Sequence, residues 1–105
     1  MAASDQRIML ARFWRKLLRL TRGRVSVLRA LEVIIQEQPP GPFKESVEEV
    51  HAAIEGGASL SDALRYHPDT FSLSVRELVR TAEQSGAWDD ILQEIADGLA
   101  DGTFD

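Results

Sequence analysis

The sequence predicts an all-α fold, a compact bundle of six short antiparallel helices. Three observations lead there. Apolar residues recur at steps of three and four along most of the chain, as on one face of a helix. Glycine and proline clusters interrupt that rhythm at short intervals. No segment alternates with period two for long enough to argue a strand. At 105 residues and 44% hydrophobic, the chain has the size and apolar content for one domain, residues 1–105, around one modest core.

The first helix is read over residues 7–20. Leu10, Phe13, Trp14, Leu17 and Leu18 fall within about 140° of one another on a helical wheel. Arg12, Arg15, Lys16 and Arg19 gather on the opposite side. Gly23 follows the last periodic residue and suits a left-handed position just past the helix end. Ser26 caps the second helix, with Val27, Leu28, Leu31, Ile34 and Ile35 as its stripe, and Pro39-Pro40-Gly41-Pro42 ends it. The third helix runs from about Phe43 to Ile54, with Val47 and Val50 between, and stops at Gly56-Gly57. Ser59 with Asp62 caps a short fourth helix, Leu60 to Tyr66, closed by His67-Pro68-Asp69.

Ser72 or Ser74 caps a fifth helix bearing Val75, Leu78, Val79 and Ala82, which ends at Gly86. The sixth buries Trp88, Ile91, Leu92, Ile95 and Leu99. An acidic tail, residues 101–105, shows no periodicity. The connections are short enough for neighbouring helices to pack antiparallel.

Charge is distributed unevenly. Residues 1–29 hold eight of the 12 basic residues and one acid, Asp5, while the other 16 of the 17 acids follow. A basic opening segment therefore precedes an acidic body. Such a chain either neutralises itself or presents a basic face to an acidic partner, a phosphate backbone or an anionic membrane. Nucleic acid is disfavoured, because the acidic body repels phosphate and no recognition motif is present. The basic helix with Phe13 and Trp14 fits an interfacial membrane helix, but the ordinary wet face of a packed helix looks the same and is the preferred reading. Trp14, at the margin of the core stripe, is the candidate interface anchor beside Arg12, Arg15, Lys16 and Arg19. The opening Met1-Ala-Ala-Ser-Asp lacks the apolar stretch of a secretory signal, and no apolar run approaches a membrane span.

Catalytic templates are missing. There is no Gly-x-Ser-x-Gly, Walker A, Gly-x-Gly-x-x-Gly or His-Glu-x-x-His pattern, and no cysteine. His51 and His67 lie near no convincing nucleophile, so both read as structural. Gly56-Gly57-Ala58-Ser59 could cradle a phosphate, but it reads better as a helix stop followed by a cap. Glu83, Asp89, Asp90 and Glu94 supply hard oxygen ligands for a divalent cation, yet at no EF-hand spacing, and solvation is the default for surface carboxylates. The expectation is no enzyme, no cofactor and no metal.

Two blocks in the second half carry a family resemblance. Ile54-Glu-Gly-Gly57-Ala-Ser59-Leu60-Ser61-Asp-Ala63-Leu64 resembles the Gly-x-Ser-Leu-Ser-x-Ala-Leu block of the type II secretion system protein F family, which includes the inner-membrane platform proteins of type IV pili. Phe71 follows seven residues on, where that family has Phe. Thr81-Ala82-Glu83-Gln84-Ser85-Gly86-Ala87-Trp88 resembles its Gly-Glu-x-Ser-Gly-x-Leu motif, continued by Leu92 and Ile95-Ala96. The first half agrees more loosely through Phe13, Gly23, Leu28, Ala30-Leu31 and Ile34. Ala82 stands for the usual Gly, and Trp88 for the usual Leu.

The resemblance implies a six-helix cytoplasmic domain at the bacterial inner membrane. It implies a non-enzymatic scaffold that links a secretion or pilus assembly ATPase to other platform proteins. The charge asymmetry adds a second copy of the chain, a homodimer, as an alternative acidic surface for the basic helix. A stand-alone regulator or peripheral membrane adaptor, docking through the basic helix, is the alternative. Full-length members carry membrane-spanning segments, so the chain is either an excised domain or a member without its anchor. Of the matched residues, Leu60, Leu64, Phe71, Leu92 and Ile95 are expected in the core, and Gly57 and Gly86 in tight turns. Glu83 is expected to bond free N–H groups opening the sixth helix beside the Ser85-Gly86 turn.

Overall fold

A computed structural model describes residues 2–103, with side chains from residue 6 onward. The Asp5 side chain and the tail residues Phe104 and Asp105 lie outside the described residues. Six helices make up the described chain, with no strand among the described residues: α1 (Ala2–Arg22), α2 (Val27–Glu37), α3 (Pro42–Glu55), α4 (Leu60–Leu64), α5 (Leu73–Ser85) and α6 (Trp88–Asp101). Each packs on its sequence neighbour, and α6 returns to pack extensively on α1, which closes the bundle.

The boundaries differ from the sequence reading at defined places. α1 begins at Ala2 rather than Arg7, since nothing before Arg7 breaks a helix and alanine favours one. α3 begins at Pro42, whose missing N–H is no loss in a first turn. α4 ends at Leu64, two residues early, because Tyr66 and His67 donate to carbonyls three residues back and wind the chain into tight turns. Ser72, not Ser74, caps α5 by accepting from Val75 N–H. Ser26 and Ser59 cap α2 and α4 as expected.

The end of α1 corrects a second expectation. The left-handed residue is Arg24, at φ 71°, rather than Gly23. The helix runs on to Arg22, so Val25 N–H reaches Leu20 C=O at 3.1 Å and Arg24 N–H reaches Thr21 C=O at 3.0 Å. That pair of bonds places Arg24 at the position glycine usually holds.

The core is built around four aromatic rings. Phe13 meets Trp14 and Phe43 edge to face at centroid distances of 5.2 and 5.7 Å, and Trp14 meets Phe71 at 6.2 Å. Leu17, Leu31, Val47, Leu64, Val79, Leu92 and Ile95 fill the space around them. Trp14 is 1% exposed. Its ring belongs to this cluster, so the expectation of a surface anchor is replaced by a core role. The other tryptophan ties the closure: Trp88 Nε1 donates to Thr21 Oγ1 at 2.9 Å, joining the start of α6 to the last turn of α1.

Candidate interaction surface

On α1 the residues Ile8, Arg12, Arg15 and Arg19 follow one another at steps of four, three and four, and all four are exposed. Lys16 lies beside them and is held by Glu37 of α2 at 3.2 Å. Arg12, Arg15 and Arg19 form no ion pair among the described residues. Between this face and the end of α2 lies a groove of about 760 Å³. Met9, Phe13, Ile34 and Pro39 supply its apolar lining, and the cationic row lines its α1 side. Four of the five residues expected to bind a partner thus share one surface, and Trp14 is the exception.

The two motif blocks meet elsewhere. Ser61 is 8% exposed, and its N–H and hydroxyl donate to the Glu83 carboxylate at 3.2 and 2.5 Å. Glu83 therefore serves the opening turn of α4, not that of α6 as expected from its place beside Gly86. The first turn of α6 holds Asp89 and Asp90, and Ser85 Oγ accepts from Ala87 N–H just before it. Asp89 faces Arg22 at 3.8 Å. Glu83, Asp89, Asp90 and Glu94 do not converge, and no group of three metal-ligating side chains occurs among the described residues.

Both histidines bridge helices or turns. His51 Nε2 lies 3.1 Å from a Glu32 carboxylate oxygen, and His67 Nε2 lies 3.4 Å from Glu49. Glu32 titrates below its ordinary value, chiefly through its bond from His51 and secondly through that from Arg29. Their geometry is that of ties between α2 and α3 and between α3 and the turn after α4.

No helix is long and apolar enough to cross a membrane among the described residues. The family signature described as type II secretion system (T2SS), protein F matches residues 13–102. The chain belongs to the type II secretion system protein F family. Within it, the chain is 34% identical over 90 residues to the type IV pilus assembly protein PilC of Thermus thermophilus, covering 86% of this chain and 22% of that one. The type IV pilus assembly protein TapC of Aeromonas hydrophila is 33% identical over 72 residues, 69% of this chain and 17% of the relative. The type 4 fimbrial assembly protein PilC of Pseudomonas putida is 33% identical over 82% of this chain and 21% of its own length. The chain thus spans about a fifth of the length of the curated relatives it matches.

The match to the protein F family begins at Phe13, so Ile8, Arg12 and Met9 lie ahead of it. Sequence reasoning missed Ile8 and Met9 as groove residues. The available signal was Ile8 itself, an isoleucine spaced with the arginines on the wet side of α1.

Proposed function

We propose that this chain is a non-enzymatic scaffold domain of a type II secretion or type IV pilus platform, on the cytoplasmic side of the bacterial inner membrane. It joins the assembly ATPase and other platform proteins through the basic face of α1. Membership in the protein F family and the pilus assembly names of its relatives support the setting. The observation that carries the docking face is the row Arg12, Arg15, Arg19, exposed and without an ion pair among the described residues, in a chain of net charge -5. Those cations act chiefly on encounter, while apolar contact holds the complex.

The test is co-purification of the chain with the assembly ATPase and platform proteins of its own organism, with association rates measured across salt. Arg15→Glu with Arg19→Glu slows association about tenfold or more at low salt and much less at high salt, where charge is screened. An unchanged rate and salt dependence removes the basic face from the reading. Binding to anionic liposomes with no protein partner would place the chain instead among peripheral membrane adaptors.

A further inference from the structure

We infer that the groove between α1 and the end of α2 receives an acidic amphipathic helix from a partner protein. This deepens the scaffold reading, on which it rests for its biological setting, by naming the chemistry of the occupant. Three features fit together. The groove is open, with a volume of about 760 Å³, and Met9 and Pro39 present apolar surface in it beside the buried Phe13 and Ile34. Its α1 side carries Arg12, Arg15 and Arg19, seven helical steps from first to last and so about 10 Å of helix. Ile8, 52% exposed, extends that same row with an apolar side chain.

A helix lying alongside, with acids at i, i+3 or i+4 and i+7, repeats the spacing of the three arginines. An apolar stripe next to those acids would cover Met9, Pro39 and Ile8. The structure already holds one such contact: the Glu37 carboxylate sits on the groove wall against Lys16 at 3.2 Å.

A second copy of the chain meets only half of this description. Its acids Asp89, Asp90, Glu94 and Asp97 lie on α6, whose Leu92, Ile95 and Leu99 are buried in the copy's own core. Glu45, Glu48 and Glu49 lie on α3, whose Phe43, Val47 and Val50 are likewise buried. Neither helix has an apolar stripe to offer. A lipid surface is flat where the groove is concave.

The test is a fluorescein-labelled helical peptide of about 18 residues, with Glu at i, i+4 and i+7 beside a Leu stripe, titrated into the full chain. A peptide of the same composition, scrambled so that Glu and Leu no longer segregate, is the control, and anionic phosphatidylglycerol vesicles are a second probe. The designed peptide binds, with amide shift changes centred on the groove residues and affinity that falls with salt. Arg15→Glu with Arg19→Glu weakens it about tenfold, and Ile8→Ser several-fold, with melting temperatures unchanged because these side chains are exposed. Arg12→Gln serves as a milder third variant.

Equal binding of the scrambled peptide, no binding, unaltered affinity in the variants, or shifts centred elsewhere would overturn the inference. Vesicle binding in preference to the peptide would overturn it too. Failure here with intact co-purification of the ATPase removes the groove and leaves the scaffold; success here without co-purification does the reverse.

Discussion

Glu83, near the end of α5, holds both the backbone N–H and the hydroxyl of Ser61, twenty-two residues earlier in the first turn of α4. The Ser-Leu-Ser block and the Glu-x-Ser-Gly block of the protein F family are therefore two halves of one joint in this chain. α4 has only five residues, too few to hold itself by helix propagation. Ser59 satisfies Asp62 N–H, Glu83 satisfies Ser61 N–H, and the short helix is fixed from outside.

Glu83→Ala should therefore destabilise the fold by about 1–2 kcal/mol, as loss of charge-assisted bonds to a nearly buried serine does. Urea unfolding measures it. Combined with Ser61→Ala, the two losses should overlap rather than add, because they remove the same contact. Full additivity would show that Glu83 stabilises the fold by some other route.

Gly86 joins α5 to α6 at φ 79°, and a Cβ built there meets nothing within 4 Å. The demand is conformational, not spatial. Gly86→Val should cost more than about 1 kcal/mol, while Gly86→Asn, which tolerates the left-handed region, should cost less. Equal losses for Val and Asn would point to a packing effect instead.

Much of this was legible in the sequence because the physics was local. Ser26 and Ser59 announce their helices by type and position, and Leu17, Val47 and Leu92 announce the core by period. The groove and the Glu83 joint were not legible in the same way. Glu83 stands beside Gly86 in sequence, and only the packing of α5 on α4 reveals that its carboxylate serves Ser61 instead. Trp14 was misplaced because the angular margin of a stripe says little when α1 is enclosed by α2, by Phe71 and by α6. The ties Thr21–Trp88 and His51–Glu32 span 67 and 19 residues, beyond the reach of any periodicity.

Trp14→Ala should lower stability by about 3–5 kcal/mol, the cost of deleting a fully buried aromatic ring. For a chain of this size that approaches the whole folding free energy. Circular dichroism melting reads the loss. A Trp14→Ala protein that melts normally but loses partner binding would restore the surface role.

Glu32 sets an acid-side dependence. Its carboxyl lies below its ordinary value of 4.5 because His51 and Arg29 bond it in the folded chain. A group lowered in the folded state stabilises above its unfolded value and loses that contribution as pH falls through its folded value. The gap in stability between the native chain and Glu32→Gln should thus be present at neutral pH, shrink below pH 4.5 and close in stronger acid. Paired denaturation curves across that range decide it, and a gap independent of pH would count against the tie.

Arg24 occupies the left-handed position after α1, next to a glycine that is not left-handed. The Cβ of an arginine there lies close to its own following carbonyl, a cost of roughly 1–2 kcal/mol that glycine escapes. Glycine gives back part of that gain through the freedom of the unfolded chain. Arg24→Gly should therefore stabilise by about 0.5–1 kcal/mol. Gly23→Ala places its Cβ 3.4 Å from Leu20 C=O, an ordinary contact, in a conformation any residue adopts, so it should be tolerated or mildly stabilising. The order of effects is the diagnostic. If Gly23→Ala proves strongly destabilising and Arg24→Gly neutral, the left-handed turn lies at Gly23 and α1 ends one residue sooner.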